Sequence, residues 1–140
     1  MHVANAVMPG PEQASAFFGG TENGPMVMVN LLKFKEIADY PDGRDPGLSG
    51  REAYMRYGLA VTECLKLVGG KALFSGDVTG LILGEVEELW DMVALAYYPG
   101  PQAMLQMVAL PEYQGIEIHR FAGLAGQLNI RTSVAGMPAL

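Results

Sequence analysis

Few side chains in this sequence are equipped for chemistry. Only two histidines occur, His2 at the first residues and His119 far along the chain. An unperturbed imidazole titrates near ~6.5, so His119 is the candidate general base for proton transfer near neutral pH. Its plainer role is that of a helix-end histidine complementing the C-terminal dipole. Asn30 is the one neutral polar residue inside the run Met26-Val27-Met28-Val29-Asn30-Leu31-Leu32-Lys33-Phe34. If buried, its amide must be hydrogen-bonded to a ligand or to a neighbouring strand or loop, because leaving it unpaired costs about 1–3 kcal/mol. Tyr54 and Tyr57 stand one helical turn apart and either present hydroxyls to a pocket or pack in the core with those hydroxyls satisfied. Trp90, the sole tryptophan, offers a wall to a substrate or plugs a rim. The residues that could carry function are thus His119 as catalytic base and Asn30, Tyr57, Tyr54 and Trp90 as substrate contacts. Met104 and Met107, on one helix face, would shape an adaptable apolar pocket or simply fill the core.

Other chemistries find no motif. No H-E-x-x-H, metal-spaced cysteine and histidine set, phosphate loop, dinucleotide fingerprint or nucleophile elbow is present. Metal and nucleotide cofactors are therefore not expected, and haem ligation would fall to His119. The formal charge is −6, and no Lys or Arg lies between Lys71 and Arg120, where seven carboxylates fall. Such a surface repels phosphate backbones, which argues against nucleic acid as a partner. No segment reaches the ~18 consecutive apolar residues of a membrane span, and the first residues lack the pattern of a signal peptide. A single cysteine, Cys64, forms no internal disulfide. These features predict a cytoplasmic protein folding as one domain over its 140 residues, with its core at about 25–131.

The elements that must position these residues follow from periodicity. Residues 12–18 suit a short peripheral helix ended by Gly19-Gly20. Residues 26–34 are apolar on both alternating faces, the mark of a central strand covered on both sides. Residues 36–48 read as a surface loop, with Tyr40-Pro41-Asp42-Gly43 as a type I turn. Ser49-Gly50-Arg51-Glu52 is a capping box, and Ala53, Tyr57, Ala60, Val61, Cys64, Leu65 and Val68 form one apolar stripe of the helix it opens. Residues 72–83 contain strand-like pieces broken by Gly76 and Gly80, and residues 91–98 form the next strand. A second helix begins at Pro101 and is divided by Pro111. Residues 127–131 read as a last strand before a small-residue tail expected to be disordered. The order β-α-β-β-α-β is the split unit of the ferredoxin-like fold, an α+β architecture with both helices on one face of a four-stranded antiparallel sheet. The other face would be an apolar patch larger than monomers tolerate, so a homodimer joined sheet to sheet is expected.

The strings Val29-Asn30-Leu31-Leu32-Lys33-Phe34, Ser49-Gly50-Arg51-Glu52-Ala53-Tyr54, Trp90-Asp91-Met92-Val93, Tyr98-Pro99, Pro111-Glu112-Tyr113 and His119-Arg120 resemble the domain-of-unknown-function 1330 family over roughly residues 25–131. That resemblance implies a dimeric α/β barrel, two ferredoxin-like protomers with their sheets facing. Leu110 departs from it, standing where relatives tend to carry Asp. The family has no settled activity, so the fold alone names none. The residues point to a small-molecule protein without metal or nucleotide, holding an apolar or aromatic compound between sheet and helices. As an enzyme it would be a cofactor-free isomerase or oxygenase. As a non-catalytic module it would bind a metabolite or a protein.

Overall fold

Strand β1 (Met26–Phe34) owes its central place to side chains that are apolar in both directions, and in the computed structural model, which describes residues 1–136, both of its edges are paired. Helix α1 (Pro11–Gly19) precedes it and buries none of its residues. After β1 come α2 (Gly50–Leu67), β2 (Lys71–Asp77), β3 (Met92–Tyr98), α3 (Pro101–Ala109), α4 (Pro111–Gln114), α5 (Glu117–Gly123) and β4 (Leu124–Ser133). The sheet order is β2-β3-β1-β4 with all neighbours antiparallel, the ferredoxin-like topology.

The capping box is formed: Ser49 Oγ accepts from the Glu52 N–H at 3.1 Å, and the Glu52 carboxylate accepts from the Ser49 N–H at 3.2 Å. Gly50 is required just behind it, since a Cβ there would lie 2.1 Å from the Lys35 carbonyl oxygen and 2.8 Å from that of Gly123. Pro111 divides the second helical region as expected. Leu110 supplies no side-chain cap to α4, a job Asp commonly performs.

Two boundaries differ from the sequence reading. Strand pairing after Lys71 ends at Asp77 instead of continuing toward residue 83, and Leu81, Ile82 and Leu83 stand 53%, 104% and 86% exposed in the connection. Gly80 and Gly84, the latter with φ +84°, break the extended run there. β4 begins at Leu124 and reaches Ser133, because β1 offers an edge long enough to pair it throughout. The disordered tail expected after Arg131 is instead strand as far as Ser133, because Thr132 and Ser133 pair with β1, and its residues 137–140 lie outside the described residues.

The sheet has two unlike faces. Met26, Met28, Leu32, Met92 and Tyr98 face the helices and join Tyr54, Tyr57, Cys64, Leu65, Met107, Tyr113 and Leu124 in the main core. The opposite face carries Val27, Val29 and Leu31 of β1, Val93, Leu95 and Tyr97 of β3, and Leu128 and Ile130 of β4, with no helix or strand among the described residues packed over them. A smaller cluster, Ala38, Tyr40, Ala53 and Ala122, fastens the 35–49 loop to α2 and α5.

Candidate functional site

The helix-covered face is closed at its ends and open in its middle. Met28, Leu32, Met92 and Tyr98 are 3%, 0%, 7% and 6% exposed. Asn30, Ala94 and Ala96 lie between them on the same face, yet each keeps solvent access. The two alanines are too short to fill the space that longer side chains close at either end of β3. The centre of this face is less completely covered than its ends.

Four tyrosines converge on it. Tyr54 and Tyr57 come from α2, with ring centroids 5.3 Å apart, and Tyr113 of α4 lies 6.0 Å from Tyr57 with their hydroxyls hydrogen-bonded at 3.1 Å. Tyr98 rises from the end of β3, near enough to feel the charge state of Tyr113 and Tyr54. Burial pushes the Tyr54 hydroxyl up to about 12 and raises those of Tyr57, Tyr98 and Tyr113 as well. All four stay protonated at neutral pH and act as hydrogen-bond donors, not as bases. The Tyr54 and Tyr98 hydroxyls find no protein partner among the described residues and, at the tips of otherwise buried side chains, each keeps contact with solvent.

Asn30 forms part of the polar floor. Its Nδ2 donates to the Ala94 carbonyl at 3.1 Å, and its Oδ1 accepts from Gln127 Nε2 at 2.6 Å. Gln127 Oε1 in turn accepts from Arg120 at 2.7 Å, and a second Arg120 nitrogen donates to the Val7 carbonyl at 2.7 Å. The Arg120 charge reaches Tyr54, Tyr57 and Tyr113, where it partly offsets the effect of burial.

The structure thus brings Tyr54, Tyr57 and Asn30 onto one face and sets His119 and Trp90 elsewhere. His119 belongs to the smaller cluster, its Nδ1 2.7 Å from the Tyr40 hydroxyl. Burial first, then the Arg56 and Arg44 charges, lowers its pKa, which favours the neutral imidazole, whose Nδ1 shares one hydrogen bond with the Tyr40 hydroxyl. Arg56 also reaches the Tyr40 hydroxyl at 3.3 Å and is held by Asp45 at 2.8 Å. Asp45 sits at φ +47°, a conformation Asp tolerates better than most residues. Trp90 donates its indole N–H to Asn5 Oδ1 at 2.8 Å, pinning the first residues of the chain beside the sheet.

Sequence reasoning passed over Tyr98, Tyr113 and Arg120 as site residues. A usable signal was present for Tyr98: strand alternation puts Met92, Ala94, Ala96 and Tyr98 on one face, two small residues beside a phenol. Tyr113 and Arg120 carry no such local signal, since the packing of α4 and α5 against α2 aims them. Among the described residues no three His, Cys, Asp or Glu side chains gather as metal ligands would, and no helix is long and apolar enough to cross a membrane.

No family model matches the chain, and no curated protein matches it. Among solved structures, the RPA0582 protein of unknown function from Rhodopseudomonas palustris is 30% identical, with a TM-score of 0.81 over 92% of this chain and 96% of that one. Its methylated form gives 32% identity and the same TM-score of 0.81, over 93% and 95% of the two chains. A NIPSNAP-like domain protein from Burkholderia xenovorans shares the fold alone, at 15% identity and a TM-score of 0.50 over 84% and 92%. The chain belongs to the family of the Rhodopseudomonas protein.

Proposed function

We propose that this chain is a homodimeric small-molecule-binding protein of the domain-of-unknown-function 1330 kind, whose ligand lies in the tyrosine-lined cleft between sheet and helices. The observation that carries the reading is the pair of hydroxyls of Tyr54 and Tyr98, which have no protein partner among the described residues and meet solvent at the tips of otherwise buried side chains. Pockets that take small molecules combine apolar walls with a few placed donors of this kind. Ala94 and Ala96 provide the room, and Met104 and Met107 supply adaptable apolar walls. The ligand is compact, apolar or aromatic, and bears an oxygen that accepts from a phenol.

Binding is favoured over catalysis by the same geometry. The four phenols are held neutral, and His119 faces Tyr40 in the smaller cluster. The bare apolar face of the sheet supports dimerisation, two copies closing a barrel with their helices outside. The buried free thiol of Cys64 suits a cytoplasmic setting.

The test is a thermal-shift and calorimetric screen of phenolic and other small apolar compounds against the wild type, Tyr54→Phe and Tyr98→Phe. Each Phe variant is expected to melt as the wild type does, since neither hydroxyl has a protein partner, and to bind the tightest compound about three- to ten-fold more weakly, the loss of one neutral hydrogen bond. Unchanged affinity in both variants would remove the cleft as the binding site.

A further inference from the structure

Three of the arginines hold a carboxylate: Arg44 on Asp42, Arg51 on Asp77 and Arg56 on Asp45. Arg120 and Arg131 hold none among the described residues, in a chain of net charge −6. Arg120 is bonded only to neutral oxygens, those of Val7 and Gln127. Arg131 projects from β4 onto the helix-covered face in register with Met28. Its guanidinium carbon lies 4.2 Å from the centroid of the Phe17 ring, and its Nη1 is sealed from solvent with no acceptor. A guanidinium keeps its proton at any physiological pH, and a buried donor of that charge without an acceptor is costly.

We infer that Arg131 is the seat for the carboxylate of a ligand whose apolar body occupies the tyrosine cleft. The inference rests on the cleft being the binding site and narrows its ligand to organic acids. Arg131, Met28 and Ala96 are aligned across β4, β1 and β3. Two strand spacings, about 10 Å in all, therefore separate the Arg131 backbone from the cleft floor, a distance that its side chain and a compact acid span together. Phe17, half-buried against the main core, must lift for the acid to reach Nη1, and α1, none of whose residues is fully buried, is the element that would move with it. A bidentate arginine–carboxylate pair there, with one of its two nitrogens shielded from solvent, would be directional.

The test uses the full chain, its Arg131→Met variant, and Arg131→Lys as a second variant that keeps the charge. The probes are benzoate and phenylacetate, with benzamide and phenylacetamide as uncharged counterparts, at matched ionic strength in chloride. The wild type is expected to bind the acids at least ten-fold more tightly than the amides. Arg131→Met should erase that preference, leave amide binding intact and melt no lower than the wild type without ligand, because it removes an uncompensated charge. Arg131→Lys should retain a reduced preference. Equal binding of acids and amides by the wild type would overturn the anion seat while leaving the cleft in place. No binding of any of the four would take the cleft reading with it. An Arg131→Met variant that melts well below the wild type and binds the acids unchanged would make Arg131 a structural clamp on Phe17.

Discussion

Asn30 shows how a single amide can be visible in a sequence while its use is not. Its isolation in an apolar strand marked it as a group that had to be paired. Both of its ends are engaged within the protein, by Ala94 and by Gln127, which is itself 8% exposed. Asn30→Leu should therefore lower stability by roughly 1–3 kcal/mol in denaturant melts, through the orphaned Gln127 amide. A variant as stable as the wild type would mean that the Asn30–Gln127–Arg120 chain contributes nothing. At His119 the folded protein holds the imidazole pKa below its ordinary value. The unfolded chain then binds more protons as pH falls through about 6.5, so the folded state loses stability over that window and the loss levels off below the folded pKa. His119→Gln should abolish this part of the pH dependence. Melts of both proteins between pH 7.5 and 5.5 are expected to diverge, the wild type falling further, and parallel curves would contradict the lowered pKa. Tyr40, the partner of His119, was readable only as the first residue of a turn, because the contact joins positions 79 residues apart.

Elements with local signals were the most legible. The capping box, the α2 stripe, the Pro111 break and the central character of β1 all depend on spacing within a few residues, and each stands in the structure. The ends of β2 and β4 depend on how much of a neighbouring edge is free to pair, which no local pattern records. Ser49→Ala is expected to cost about 1 kcal/mol through loss of the α2 cap, with the oligomer unchanged. Gly50→Ala should cost more than Ser49→Ala, since its methyl would meet the Lys35 and Gly123 carbonyls at the junction of α2 with α5. Equal melts for the two variants would show that this close approach relaxes freely. The phenol cluster was half legible: Tyr54 and Tyr57 are a helical pair, whereas Tyr98 and Tyr113 join them only when α4 and β3 are brought under α2.

For the whole molecule, the two faces of the sheet imply two tasks. The face without helices carries Val29 opposite Leu95, at the middle of an apolar surface. Light scattering at tens of micromolar should return twice the 15.0 kDa chain mass, since an interface of ordinary size, about 1,600 Å², holds at that concentration. Val29→Glu with Leu95→Glu should return the single-chain mass, and a wild type that stays at 15.0 kDa would rule out the barrel. The helix-covered face carries the central claim, that a ligand sits over Ala94 and Ala96 beneath the tyrosines. The most direct measurement is a crystal structure of the protein with the tightest compound from the screen. The expected result is density over those alanines, with an oxygen at hydrogen-bond distance from the Tyr54 or Tyr98 hydroxyl. Density against Tyr40 and His119 instead, with the tyrosine cleft empty, would contradict it.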